Sequence, residues 1–338
     1  MPSFSALYIE SPCRDLPRVQ KIRQQCAELP EVACARYGEV FNPVAQNFRL
    51  QKKRPALILA QKHQGFVLPT PQDYGFGKEN SYYFSHLLNC PYDCRYCFLQ
   101  GMYRSAHYVL FVNYEDFERE IEETIRACGN APSTFYAGYD SDSLALESYS
   151  GFAEYFIPVF QRHPQACLEL RTKSAQIQSL LNQEVSDNIV IAMSFSPDNV
   201  GQALEHRVPS FAKRIAAAQK LQARGWRIAL RFEPLIYHQD YAQHYEGLFK
   251  KISGALDVER LHSVSLGAFR MPQSYFKNIV KRYPEEALFA DEYTVENGLT
   301  AYPKKIEDEM FSNCEMALRR DFPEANYYRC GKEREACL

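Results

Sequence analysis

Apolar and polar positions follow two rhythms along this chain, and the change between them falls near residue 80. Before it, ALYIE (6–10) and PALILA (55–60) read as short apolar strands, with a helix over Leu16–Leu29 between them. Residues 1–75 therefore form a small α/β lead-in, and Pro69–Lys78, with two prolines and two glycines, is a loop out of it. Beyond residue 80, short apolar runs alternate with longer amphipathic stretches. The runs are YYFSHLL (82–88), TFYAG (134–138), CLELRT (167–172), IVIAMSF (189–195), RIALRF (227–232) and HSVSLGAF (262–269). Helical patterns at Tyr114–Cys128, Ser150–Gln161 and Pro209–Arg224 lie between them. Continuous apolar strands separated by helices imply βα units around a buried parallel sheet. Six such units over residues 80–290 make a partial (β/α)6 TIM-type barrel, whose chemistry belongs at the C-terminal ends of the strands.

Residues 291–338 break that pattern. Asn297-Gly298 between Tyr293-Thr-Val-Glu and Leu299-Thr-Ala-Tyr302 predicts a hairpin, because Asn-Gly suits the positive φ angles of a type I′ turn. Pro303 then opens a helix that ends near Arg320, before Pro323. The hairpin reads equally well as a cap on the barrel or, with Lys304 and Lys305 behind it, as an arm that holds phosphates.

Composition adds limits. With 46% hydrophobic and 24% charged residues among 338, the chain matches a folded globular protein. No apolar run approaches the ~18 residues of a membrane span, and no positive segment followed by an apolar stretch opens the chain, so a cytoplasmic protein is expected. A net charge of −2 argues against a surface coated in basic residues, though a local basic groove remains compatible with it. The basic clusters Lys52–Lys53–Arg54, Lys213–Arg214, Lys281–Arg282, Lys304–Lys305 and Arg319–Arg320 each read first as a solvated face. Eleven cysteines, an odd number, point to thiols rather than a disulfide framework.

Three of these cysteines sit too close together to be packing residues. Cys90, Cys94 and Cys97 lie in C-x3-C-x2-C spacing directly after the first barrel strand. Three thiolates on one loop can each hold one iron of a [4Fe–4S] cubane and leave the fourth iron open. That corner can chelate S-adenosylmethionine, whose reductive cleavage gives a 5′-deoxyadenosyl radical. Tyr96, beside the third cysteine, would lie against the adenine. The alternative is a structural zinc site in a binding module. Such sites usually take four ligands in two distant pairs, and no partner pair follows here. Cys314, Cys330 and Cys337 form a looser group that reads as free thiols, with a second cluster as the alternative.

On these residues the chain resembles the radical S-adenosylmethionine superfamily, and within it the spore photoproduct lyase family, which repairs a crosslinked thymine dimer in DNA. The likeness runs through LYIE, Cys-x3-Cys-x-Tyr-Cys-x-Leu-Gln, Ser141-Asp142-Ser143-Leu-Ala-Leu-Glu147, Thr172-Lys173-Ser174, Ser194 and Tyr302-Pro303-Lys304. It implies cofactor contacts from Ser141, Lys173 and Ser194, with Glu233 near the adenosyl group. All four also fall at predicted strand ends. At Glu233 the family carries a small residue, and a carboxylate there suits the ribose hydroxyls. The resemblance further implies damaged DNA as partner, an electron donor such as flavodoxin or ferredoxin, and a monomer. Two positions depart from the pattern. Tyr139 stands where the family's hydrogen-donating cysteine is expected, and Phe98 replaces a tyrosine. Tyr139 then reads either as a phenolic donor, with Tyr96 as the next candidate, or as a packing aromatic. The missing thiol leaves room for a different nucleotide, an RNA or a peptide as substrate.

Overall fold

The computed structural model describes residues 3–41, 43–71 and 80–330. Most of the segment expected to form the loop Pro69–Lys78 lies outside the described residues. The central sheet has eight strands whose spatial order is their order in the chain. They are β1 (Leu68–Pro69), β2 (Ser81–Phe84), β3 (Ser133–Ala137), β4 (Ala166–Thr172), β5 (Ile189–Ser194), β6 (Arg227–Leu235), β7 (Leu261–Ala268) and β8 (Tyr327–Arg329). Neighbours from β2 to β8 run parallel, and β1 is antiparallel on the edge. The six predicted barrel strands are β2–β7, and the sheet is a partial (β/α) barrel. β8 adds a seventh parallel strand that the pattern did not reveal, because YYR sits in a polar tail with no apolar run around it.

Every residue of β5 is buried, as expected of a strand covered on both faces. The covering helices show why they form. In Tyr114–Ala127 the buried positions are Tyr114, Phe117, Ile121 and Ile125, one stripe at helical spacing. Phe211–Arg224 starts where the Ser210 side chain accepts from the Lys213 amide at 3.4 Å and stops at Gly225, which takes φ 106°.

The stretch predicted as one strand over 82–88 is two. The chain leaves the barrel after Phe84, and Leu87–Leu88 pairs antiparallel with Tyr108–Phe111 in a second sheet. At the crossing, the buried His86 ring stacks on Phe152 with centroids 3.7 Å apart. The second sheet has the order Glu31–Cys34, Leu7–Glu10, Leu57–Ala60, Tyr108–Phe111, Leu87–Leu88, so it draws two strands from beyond residue 75. The predicted first helix is shorter, Pro17–Gln25, and packs Val19 and Ile22 against this sheet.

The predicted hairpin is present as Thr294–Glu296 and Leu299–Ala301, turning through Asn297 (φ 50°) and Gly298 (φ 77°). A third strand, Arg270–Pro272, pairs with it directly after β7, so the hairpin hangs from the C-terminal end of the barrel. Its base is aromatic: Tyr293 and Tyr302 stack at 5.3 Å, and Phe269 lies 5.5 Å from Tyr293. The last helix is Lys304–Asp321, with Pro303 at its N-cap. Among the described residues no helix is long and apolar enough to cross a membrane.

Candidate active site

The cysteine loop is held from several sides. Asn89, buried and at φ 66°, donates its side-chain amide to the carbonyls of Ser105 (2.8 Å) and His107 (2.7 Å). Asp93–Cys94 forms a two-residue antiparallel ladder with Glu205–His206, and the Arg95 amide donates to the Leu204 carbonyl at 2.8 Å. From below, the Lys52 ammonium donates to the carbonyls of Cys90 (3.0 Å) and Tyr92 (3.3 Å). Lys52 was expected on a solvated face with Lys53 and Arg54. Instead the short helix Phe48–Lys53 turns it inward, where two carbonyls replace its water. Arg214, placed by the sequence in another basic pair, is likewise buried: its guanidinium meets Glu205 at 2.9 Å and the Ser194 carbonyl at 2.9 Å. In both cases a charge run was read as exposed because sequence alone does not say which face of a helix meets the core.

The strand ends supply the opposite surfaces. Gly138, just past β3, has φ 89°, and a Cβ there would stand 2.6 Å from the Ser143 hydroxyl. Only glycine makes that turn, which delivers Tyr139 and Ser141 to the cavity. Asp142 then ties two strand ends together, accepting from the Thr172 hydroxyl (2.7 Å), the Lys173 amide (2.6 Å) and the Leu144 amide (3.0 Å). The Lys173 ammonium lies 5.6 Å above the Tyr96 ring. The Tyr96 hydroxyl donates to Glu205, so its phenolic proton is committed to a buried carboxylate. Tyr139 packs against Tyr83 at 4.4 Å and against Phe98 at 5.7 Å, and burial pushes its phenol up to about 12. The two departures from the family pattern are therefore neighbours.

One cavity of about 290 Å³ collects these groups. Cys90, Cys94 and Cys97 line it with Tyr96, Tyr139, Ser141, Lys173, Ser194 and Glu233, so all nine residues nominated from the sequence share one space. Among the described residues, no three His, Cys, Asp or Glu side chains stand close enough to share a single ion. A cubane does not require that spacing, because its thiolates bind separate irons. Burial raises all three thiols, Cys90 to about 12, while Lys52 and Lys173 act in the opposite direction on Cys97. Iron would overcome that burial by deprotonating its ligands outright. The donor set of three thiols on one loop, facing a cavity with a lysine and two serines, fits the cluster and its cofactor.

Several residues in and behind the cavity wall escaped the sequence reading. Arg171 bridges Glu169 (3.1 Å) and Glu233 (3.0 Å), and Arg231, fully buried, meets Glu169 at 2.7 Å. Burial alone would favour protonated Glu169, but Arg231 and Arg171 override it and hold the carboxyl at about 2. Glu233 also accepts from the Ser265 hydroxyl, so its oxygens already carry partners within the wall. The alternation of charge inside CLELRT and RIALRF was the available signal, since an inward-facing charge in a barrel strand needs a partner. Cys330, following β8, reaches the same cavity, whereas Cys314 is buried in the apolar core and Cys337 lies outside the described residues.

Comparison with known proteins follows the same lines. A family model described as spore photoproduct lyase matches residues 79–328. A spore photoproduct lyase of Bacillus subtilis (strain 168) is 25% identical over 206 residues, 60% of each chain, and one of Geobacillus sp. (strain Y412MC61) is 24% identical over the same share. The matched region thus spans 60% of the length of these curated relatives. Among solved structures, a cysteine-to-alanine mutant of spore photoproduct lyase superposes with a TM-score of 0.86 at 19% identity, covering 97% of this chain and 100% of that one. A double mutant with bound AdoMet and dinucleoside spore photoproduct gives 0.85 at 17% identity, over 96% and 98%.

Proposed function

The chain belongs to the spore photoproduct lyase family, and from that premise we propose that it is a radical S-adenosylmethionine enzyme that repairs a thymine-dimer lesion of the spore-photoproduct type in DNA. One observation carries the reading: the three loop cysteines and the six other nominated residues line a single cavity at the strand ends. Bound there, a [4Fe–4S] cluster and S-adenosylmethionine would supply a 5′-deoxyadenosyl radical. Cys90, Cys94 and Cys97 hold the cluster. Lys173 pairs with the cofactor carboxylate as a point charge. Ser141 and Ser194 offer hydroxyls to the cofactor, and Tyr96 presents its ring to the adenine.

The substrate side is consistent with an extruded lesion. A crosslinked dinucleotide inside a duplex cannot reach a buried cavity, and unstacking is cheapest at damaged bases. Arg270 stands exposed at the cavity mouth and pairs in register with Ala301 of the hairpin, which links the mouth to an arm bearing exposed Val295 and Leu299. We assign the arm and Lys305 to the duplex, the barrel at 80–290 to the chemistry, and residues 1–75 to support of the cysteine loop through Lys52. The protein works as a cytoplasmic monomer fed by a flavodoxin or ferredoxin. The test is anaerobic incubation of iron-loaded protein with S-adenosylmethionine, reductant and dinucleoside spore photoproduct. Repaired thymidines support the reading. Cofactor cleavage without repair returns the substrate to another nucleotide, RNA or peptide, and a zinc-loaded colourless protein ends the radical reading.

A further inference from the structure

The reaction proposed above ends on a carbon radical that must receive a hydrogen atom, and the position where the family supplies it from a thiol holds Tyr139 here. The cavity nevertheless contains a fourth thiol. Cys330, carried by the turn after β8, lines it on the wall made with Glu233 and Gly267. Resting on the reading of the preceding section, we infer that Cys330 is the hydrogen-atom donor of this enzyme, moved from the end of β3 to the end of β8.

The wall is built around this thiol. The Cys330 amide donates to the Leu266 carbonyl at 2.8 Å, which fixes the residue against β7. Its side chain lies beside the Glu233 side chain, both against Gly267. A Cβ added at Gly267 would lie 3.0 Å from the Cys330 Cβ and 3.1 Å from the Glu233 Cγ, so this glycine leaves the space in which the two side chains meet. Glu233 is itself anchored by Arg171 at 3.0 Å and by Ser265. The anchored carboxylate and the thiol beside it thus form one unit of the wall. Burial, then the neighbouring Glu233, pushes the thiol far above its usual range, which keeps the hydrogen on sulfur at neutral pH.

Two other weak X–H bonds in the cavity, those of Tyr96 and Tyr139, are less suited. The Tyr96 proton is committed to Glu205, and Tyr139 is packed between two aromatic rings. The three loop thiols are taken by the cluster. An S–H bond gives up its hydrogen to a carbon radical rapidly, because the bond is weak and its hydrogen bond to oxygen is weak too. In the step, the Cys330 S–H bond breaks homolytically, a C–H bond forms on the product, and a thiyl radical remains. One electron from the low-potential protein donor that also serves the cluster, with one proton from solvent, restores the thiol.

The experiment compares the parent with Cys330→Ala and Cys330→Ser. Serine keeps a small polar side chain beside Glu233 but has an O–H bond too strong to donate. Each iron-loaded protein is given S-adenosylmethionine, reductant and dinucleoside spore photoproduct in deuterated water. The parent should place one solvent deuterium in each repaired product. Both variants should cleave S-adenosylmethionine but lose at least tenfold in repaired product per cleavage, with adducts of the unquenched radical appearing. A second readout needs no turnover: the S–H infrared stretch missing from Cys330→Ala should shift in the parent when S-adenosylmethionine binds. Clean repair by both variants overturns the inference and returns the role to Tyr139, as does an S–H stretch indifferent to the cofactor. Failure of the parent itself to repair the lesion overturns the substrate reading and the donor role with it, a result distinct from failure of Cys330 alone.

Discussion

The wall bearing the cysteine loop and the charged wall that runs from β4 to β8 hold their polar groups differently. The loop is fixed mainly through main-chain atoms: the Asn89 amide, the Cys94–Glu205 ladder and the Lys52 ammonium all bind carbonyl or amide groups. The opposite wall is fixed through side chains, with Arg171 and Arg231 joining Glu169 and Glu233 into one charged row. Main-chain anchoring constrains where the thiols stand but asks little of neighbouring residue types. A side-chain row can be rewired by a few substitutions. The cofactor half is accordingly set by the backbone, while the far wall is set by the side chains of Arg171, Arg231 and Glu233.

The sharpest break in this comparison is Cys94→Ala. Removing one iron ligand from the loop should abolish reductive cleavage of S-adenosylmethionine, with iron measured after anaerobic loading falling well below the ~4 per chain of a cubane. Cleavage that persists would show that the loop is not the cluster site. Next comes Arg214→Met, which removes the ion-pair partner of the buried Glu205 and leaves it only nearby Lys173 and the hydroxyls of Tyr96 and Ser196; both side chains of the pair are under 5% exposed. Denaturant unfolding should show a loss of about 3 kcal/mol. Arg171→Met on the far wall, where the side chain is 19% exposed, should cost distinctly less.

Third, His86 at the junction of the two sheets tests the scaffold that both walls share. Burial, then nearby Lys62, depresses its imidazole to about 3, so the folded state keeps it neutral while the unfolded chain protonates near 6.5. The folded pKa lies below the unfolded value, so stability is complete above pH 6.5 and falls as pH drops from 6.5 toward 3, by at most about 1.4 kcal/mol per unit. His86→Phe should flatten that slope, read from unfolding midpoints between pH 7 and 4. Fourth, Lys173→Ala should weaken S-adenosylmethionine binding about tenfold, roughly 1.4 kcal/mol, without loss of iron. Unchanged calorimetric affinity would make it an ordinary half-buried lysine. The smallest effect belongs to the arm: replacing Lys304 and Lys305 by Ala should lower the salt slope of binding to damaged duplex by less than about 2. Lys304 already pairs with Asp308 at 2.8 Å, so most of the change should come from Lys305.

How far the sequence could be read follows the same division. The barrel was legible because apolar runs such as IVIAMS have one physical use, and the loop because cysteines at that spacing have few. The hairpin followed from Asn297-Gly298 alone. What stayed hidden depended on contacts between distant segments. Nothing local to Tyr327–Arg329 announces a strand, since its pairing partner β7 lies some sixty residues earlier and supplies the order. Lys52 and Arg214 looked like surface charges because their partners, a loop carbonyl and a buried carboxylate, come from elsewhere in the chain. Cys330 could not be set apart from Cys314 until the fold placed one in the cavity and the other in the core.

The two-residue ladder between Asp93–Cys94 and Glu205–His206 has a last consequence, for the life of the protein in air. In small zinc domains the metal organises the chain, and removing it unfolds the molecule. Here the hydrogen bonds of Asn89, Lys52 and the ladder pay the ordering entropy of the loop from the scaffold itself. If the loop holds the cluster proposed above, its oxidative loss should leave a shaped vessel rather than a denatured chain. Damage would then be an episode to be mended by iron and sulfide, and the same molecule could return to service without being made again.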